Sequence, residues 1–287
     1  EERAARFRFS ISERAQVQIP MNDTEIRYRQ RKTDGKRFSR PRIITLSVML
    51  VCIAAAAVVL IVVGSFGYPV YTYTENTKVL LYHLVSDETY GPNEYLFVRV
   101  SDFESQLAAI KRLGYETVFA DELSQTRGKK CVVLTFDDGY EDNFTNVLPL
   151  LEKYDMKATV FLISDMIGTE GHLSEDQIRE MAASGRIHFG SHTKSHRKLY
   201  ELEADEMELE LVQSRRRIEE LTGMKVSALA YPNGVCDAAA ELAAAENGYL
   251  YCYTTDSPSE SYYDNTRLPR SYVMRDTDMA DFLKILE

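Results

Sequence analysis

The chain has 287 residues with 34 Lys+Arg against 44 Asp+Glu, a formal net charge of −10, five histidines and no tryptophan. Residues 1–42 hold 12 basic and 6 acidic side chains, which leaves 22 against 38 for the rest. A body that acidic argues against nucleic acid as a partner, and four cysteines are too few for a disulfide scaffold.

Residues 1–42 are polar and basic without apolar periodicity, and read as a disordered cytoplasmic tail. Residues 43–66 carry no charged side chain. As a helix they reach roughly 36 Å, enough for a hydrocarbon core of about 30 Å. The 42 residues ahead of them are too many for the n-region of a signal peptide. One transmembrane helix is therefore expected. Arg27, Arg29, Arg31, Lys32, Lys36, Arg37, Arg40 and Arg42 crowd its N-terminal flank, whereas residues 67–76 hold no Lys or Arg. The positive-inside rule then places the tail in the cytoplasm and everything after the helix outside the cell. Residues 67–77 read as a linker, and residues 78–287 as one domain.

Within that domain apolar runs alternate with amphipathic stretches. A strand over 79–84 precedes a helix opened by a Ser101–Glu104 capping box and closed at Gly114. Strands follow over 115–119 and 131–136, then a helix over 144–154, a strand over 158–162, a helix over 174–184 and a strand over 187–190. The acid-rich helix over 204–221 reads as a solvated face. A strand over 226–231, a helix over 237–246, a strand over 249–254, the run 268–273 and a terminal helix complete the chain. Strands alternating with helices predict an α/β fold with a parallel sheet, and about seven strands suit a closed or nearly closed barrel. Cys236 and Cys252 are open either to pairing in an oxidising compartment or to burial as plain thiols.

Two short segments carry chemistry: Thr135-Phe-Asp-Asp-Gly-Tyr140 and Ser191-His-Thr-Lys-Ser-His196. Each follows or closes a predicted strand, at the edge where such folds bind ligands. Two histidines at i, i+4 and a carboxylate form a set that holds a divalent metal and leaves one side open. Thr193 stands where a zinc protease has its Glu base, so the base comes from elsewhere. With Asp138, His192 and His196 as ligands, Asp137 is spare to act on water. The donors suit Zn²⁺, Co²⁺ and Ni²⁺ alike.

These two segments are similar to the first two motifs of the polysaccharide deacetylases, also called the NodB-homology or carbohydrate esterase family 4 domain. The resemblance covers residues 78–273. It implies a deformed (β/α) barrel of about seven strands, Asp137 as general base, Asp138, His192 and His196 on the metal, and the Tyr140 N–H at the oxyanion. It also implies substrate contacts at Tyr231, Pro232 and Asn233. The family's third motif, Arg-x-Pro-Tyr, reads Ala230-Tyr-Pro-Asn233 here, so its Arg is missing, and the Trp-containing and Leu-x-His motifs are absent. Leu80-Leu-Tyr-His83 and Leu268-Pro-Arg270 resemble instead the permuted subgroup acting on poly-N-acetylglucosamine. That likeness implies His83 as catalytic acid and Arg270 as the side chain that steadies Asp137. His172 and His188 read as loop and core residues. The expected activity is metal-dependent removal of N-acetyl groups from an N-acetylglucosamine glycan by a membrane-anchored enzyme. An O-acetyl carbohydrate esterase and a catalytically silent glycan-binding protein are the alternatives.

Overall fold

The alternation of apolar runs and amphipathic stretches folds as successive β/α units. A computed structural model describes residues 77–126, 128–256 and 265–287. The expected tail and transmembrane helix, and the linker up to residue 76, lie outside the described residues. Among the described residues no helix is long and apolar enough to cross a membrane.

The strands are β1 (Thr77–Tyr82), β2 (Leu84–Val85), β3 (Phe97–Val98), β4 (Glu116–Val118), β5 (Cys131–Phe136), β6 (Ala158–Leu162), β7 (Ile187–Ser191), β8 (Ala228–Ala230), β9 (Tyr251–Tyr253) and β10 (Ser271–Tyr272). The helices are α1 (Val100–Arg112), α2 (Leu148–Tyr154), α3 (Glu175–Ala183), α4 (Ala204–Thr222), α5 (Ala238–Glu246) and α6 (Met279–Leu286). The main sheet runs β10-β1-β5-β6-β7-β8-β9, all parallel. β4 takes the first half of the β5 edge, at residues 131–133, and β6 the second half, at Thr135 and Phe136. The expected barrel is therefore a curled parallel half-barrel of seven strands with β4 at its side. β2 and β3 form a separate two-stranded ladder.

One irregular segment reaches across the open side. Its Asn265 carbonyl accepts from the Cys252 N–H at 2.7 Å, and its Leu268 carbonyl accepts from the Thr254 N–H at 2.8 Å. The same segment continues into β10, which pairs with Leu80 and Leu81 of β1. Residues 265–272 thus connect the last strand to the first and carry Arg270 past the open end of the curl.

Side-chain parity sorts the core into two layers. Val79, Val133, Phe161, Ala228, Ala230, Tyr251, Tyr253 and Leu268 pack as a cluster inside the curl. Leu80, Tyr82, Val132, Leu134, Phe136, Val160 and Leu162, of the opposite parity, join helix residues such as Phe103, Leu107 and Ile178 in the larger outer cluster. All six residues of β5 are buried, as expected of a parallel strand covered on both faces.

The helix starts differ from expectation at two places. Ser101 and Glu104 do not cap α1, because the helix begins at Val100 with Arg99 as its N-cap and Ser101 already inside. Capping boxes form instead at α3, between Ser174 and Gln177, and at α4, between Glu203 and Glu206. The helix expected over 144–154 opens with a π-helical turn, Asn143–Val147, before α2. Cys236 is a free thiol turned toward Glu241 at 3.7 Å.

Candidate active site

The C-terminal ends of β1, β5, β7 and β8 deliver the polar residues. Parity alone sends Asp137 inward, after Val133 and Thr135, and its N–H continues the ladder to the Tyr82 carbonyl at 3.0 Å. Continued extension would turn Asp138 to the opposite face. The chain avoids this by placing Asp138 at φ 73 and Gly139 at φ 77, so that both carboxylates reach one cleft. Gly139 is required there, since a Cβ would lie 2.6 Å from Leu162 Cδ2 in a backbone region that L residues disfavour.

Of the five non-glycine residues with positive φ among those described, Asp138, Thr193, His196 and Asn233 sit at this site and only Asp155 is elsewhere. Thr193 is the most strained of them, being β-branched at φ 64. Its surroundings hold it: its N–H donates to Ser191 Oγ at 3.1 Å, its Oγ1 accepts from the His196 N–H at 3.1 Å, and its carbonyl accepts from the Ser164 N–H at 3.2 Å. Strain kept up by so many contacts serves to aim His192 and His196 together.

The donor atoms of Asp138, His192 and His196 lie within 4.8 Å of one another. His192 Nε2 is 3.5 Å and His196 Nε2 is 3.8 Å from Asp138 Oδ1. His192 Nδ1 lies 2.7 Å from the Ala230 carbonyl, which can only accept, so Nδ1 carries the proton and Nε2 presents its lone pair to the cleft. Burial, followed by the neighbouring His192, lowers the His196 pKa and favours the neutral, ligating imidazole. Two imidazoles and one carboxylate converging within a few ångströms, with one His fixed through its far nitrogen, fit a divalent metal.

Asp137 and Arg270 form a buried pair beside that triad. Arg270 Nη1 and Nη2 donate to the two carboxylate oxygens at 2.7 and 2.8 Å. Its Nη1 also reaches Thr135 Oγ1 at 3.3 Å, and its Nε donates to the Thr254 carbonyl at 3.2 Å. The rings of Phe161 and Tyr253 lie 5.6 and 6.0 Å from the guanidinium carbon. Arg270 is 1% exposed, so few of its donors are left to water. Burial pushes the Asp137 pKa up, but the charge and hydrogen bonds of Arg270, with His192 and His83, outweigh it and hold the carboxyl at about 2. Asp137 Oδ2 lies 3.8 Å from His192 Nε2, next to the triad.

His83 follows β1 and lines the same cleft, half-buried, its ring parallel to Tyr272 with centroids 6.4 Å apart. Burial lowers its pKa, against the opposing pull of Asp137 and Asp138. Its carbonyl accepts from Asn143 Nδ2 at 3.2 Å, and Asp142 accepts from the Val85 N–H at 2.7 Å, so the π-helical turn grips the His83 segment. Tyr140 lines the cleft, stacked on His172 at 5.1 Å, and its N–H has no acceptor among the described residues.

The structure brings together Asp137, Asp138, Tyr140, His83, His192, His196 and Arg270. Two expected substrate contacts are not at the cleft. Tyr231 shares the parity of Leu229, packs in the outer cluster and donates its hydroxyl to the Thr266 carbonyl at 3.0 Å. Pro232 is buried and does not line the cleft, whereas Asn233 does. His172, expected only in a loop, is part of the cleft wall. His188 stacks on Phe119 at 3.5 Å and faces Asp121, away from the site. Glu210 was expected on a solvated face. It is 5% exposed and accepts from the N–H of Ser195 at 2.8 Å and from its hydroxyl, clamping the loop between the two histidines. Nothing in an acid-rich run singles out one Glu as buried.

Residues 124–252 match the family model for polysaccharide deacetylase. The chain carries a polysaccharide deacetylase domain. Asp137, Asp138, His192 and His196 lie inside the matched span, and His83 and Arg270 lie on either side of it. A Bacillus subtilis (strain 168) protein with a provisional polysaccharide deacetylase name is 33% identical over 189 residues, covering 64% of this chain and 66% of the relative. A poly-β-1,6-N-acetyl-D-glucosamine N-deacetylase of Staphylococcus epidermidis is 32% identical over 162 residues, covering 52% of this chain and 56% of the relative. The chain thus spans less than two thirds of the length of each of these relatives. The crystal structure of a polysaccharide deacetylase from Bacillus cereus superposes on the deacetylase domain with a TM-score of 0.69 at 28% identity, over 74% of this chain and 69% of that one.

Proposed function

We propose that this protein is a metal-dependent hydrolase that removes N-acetyl groups from an N-acetylglucosamine polymer, anchored in the cell membrane with its catalytic domain outside. The observation that carries the reading is one cleft of about 560 Å³ lined by Asp137, the Asp138–His192–His196 triad and His83. These are an ionised carboxylate, a ligand set and a titratable imidazole around one space. The names borne by the relatives support the substrate class. The uncharged run 43–66 with its basic flank supports the anchor and its orientation.

A divalent ion held by Asp138, His192 and His196, Zn²⁺ foremost, would supply Lewis acidity, polarising the acetamide carbonyl and making water more acidic. Asp137, fixed by Arg270, takes the proton of the attacking water as the new C–O bond forms. The Tyr140 N–H meets the oxygen on which negative charge develops. His83 delivers a proton to the nitrogen as the C–N bond breaks, so acetate and a free amine leave. Arg270 acts on the reaction only through Asp137.

The test is acetate release from N-acetylglucosamine oligomers and, in parallel, from an acetyl ester. Asp137→Asn is expected to reduce release from the oligomers by about 10²–10⁴-fold, the usual range for a general base. A chelator is expected to abolish release and Zn²⁺ to restore it. Release from the ester alone would make the protein an esterase, and unchanged activity in Asp137→Asn would remove Asp137 from its role. Protection of the domain from added protease in intact cells would overturn the orientation.

A further inference from the structure

A second cavity, of about 1040 Å³, lies between α1, the short 3-10 turn Glu94–Leu96 and the chain ahead of α6. It borders the catalytic cleft along one shared ridge. Tyr95 lines both spaces. On either side of it Leu96 faces the cleft and Glu94 the second cavity, and on the other strand of the ridge Met274 faces the cleft and Arg275 the second cavity. The Arg275 N–H donates to the Tyr95 carbonyl at 3.0 Å and ties the two segments together. Tyr95 itself is 53% exposed on top of this ridge, and Tyr272, in the cleft beneath, is 37% exposed.

The chemistry of the second cavity matches a neutral, hydroxyl-rich ligand. Its wall mixes four carboxylates (Glu94, Asp102, Asp276, Asp278) with three guanidinium groups (Arg99, Arg112, Arg275), near enough to balance that no strong net field selects an anion or a cation. Arg275 lines this wall, with its Nη1 buried and without a hydrogen-bond partner among the described residues. Its volume matches the upper end of the range for ligand sites, about 300–1,000 Å³. A half-exposed Tyr with an apolar face and a polar tip, set where two such spaces meet, is a surface on which a pyranose ring can lie.

We infer that the second cavity is a distal subsite for the glycan chain, with the polymer running from the catalytic cleft over Tyr95 to the cavity walled by Arg112 and Arg275. The inference rests on the glycan substrate proposed above, but it concerns binding and not turnover. It makes the protein a reader of chain length: sugars several units away from the reacting acetamide would contribute to affinity.

The test is the Kd of N-acetylglucosamine trimer and hexamer, in β-1,4 and β-1,6 series, measured by NMR titration of the protein. The hexamer is expected to bind about tenfold or more tighter than the trimer in at least one series, a gain of about 1.4 kcal/mol. Ser105 lines the second cavity from the exposed face of α1, so Ser105→Trp fills the cavity without touching the core. It is expected to cut the hexamer gain to about threefold or less, with the trimer Kd unmoved, and Arg112→Ala to weaken the hexamer in the same direction. Equal trimer and hexamer affinity in both series, or a full gain retained in both variants, would overturn the inference. A length-dependent Kd with no acetate release from any oligomer would leave this subsite standing and count against the deacetylase reading.

Discussion

The two ends of the strands hold their charges in different ways. Ahead of β5, Lys129 meets Glu116 at 3.5 Å with both side chains about two-thirds exposed, at 60% and 66%, and ahead of β7 a half-buried Arg186, 32% exposed, meets Asp155, 78% exposed. Beyond β5, Arg270 and Asp137 pair with their side chains 0% and 4% exposed. Water screens the first kind, which contributes about 0–1 kcal/mol per pair. The second kind stands out of water and is held by a full set of hydrogen bonds, so removing either partner strands a buried charge. Backbone strain follows the same division, since four of the five positive-φ non-glycine residues among those described lie at the C-terminal edge. The N-terminal end can be changed cheaply. The C-terminal end stores the cost of holding its carboxylates and imidazoles in place.

Four changes would break or sharpen that contrast. The largest effect is expected from Arg270→Ala, which leaves Asp137 buried without its partner: a loss of about 3–5 kcal/mol in denaturant-induced unfolding, together with loss of acetate release. A cost under 1 kcal/mol would erase the distinction between the two ends. Next comes Glu210→Ala, which frees the loop carrying His192 and His196. It is expected to weaken metal binding about 10–100-fold, read by competition with a chromophoric chelator, while the unfolding curve of the metal-free protein moves far less.

The third concerns pH. Burial pushes the Asp142 carboxyl up to about 7, against the hydrogen bonds from the Val85 N–H and Asn143. An unfolded Asp titrates near about 4, so between about pH 4 and 7 the native state binds the extra proton, and this group's contribution to stability falls as pH rises through that window. Asp142→Asn carries no such charge. Its Tm relative to the parent protein is expected to rise from pH 5 to about pH 7 and then level off, and a constant difference across pH 5 to 8 would remove Asp142 as the cause. The smallest effect belongs to Lys129→Ala at the opposite end, expected within about 0.5 kcal/mol and screened further by salt.

Much of the site is legible in the chain itself. Asp137, Asp138, His192 and His196 stand in two hexapeptides whose residue types already match a metal and a base, and each segment follows or closes an apolar run. His83 and Arg270 are different. Nothing local marks a His after a strand or an Arg after Leu-Pro as functional, and only the likeness to a permuted family pattern selects them. The resemblance to the wider family puts Tyr231 at the substrate, but it lies off the cleft, because the motif fixes position along the chain and parity fixes the face. Glu210 escapes altogether, since its neighbours Glu206, Glu208 and Glu219 are of the same type and burial depends on what packs against α4.

The sequence alone determined the alternation of strands and helices, the parallel sheet that follows from it and the candidate ligand set at the strand ends. These depend on periodicity, propensity and donor chemistry, all of them local. Only the tertiary structure decided that residues 265–272 cross the open side, so that Arg270 meets Asp137, 133 positions away. It also decided that Glu210 faces Ser195 and that Tyr95 divides two cavities. Such contacts arise from how far a sheet curls and where its edges meet, and no window of the chain contains that information.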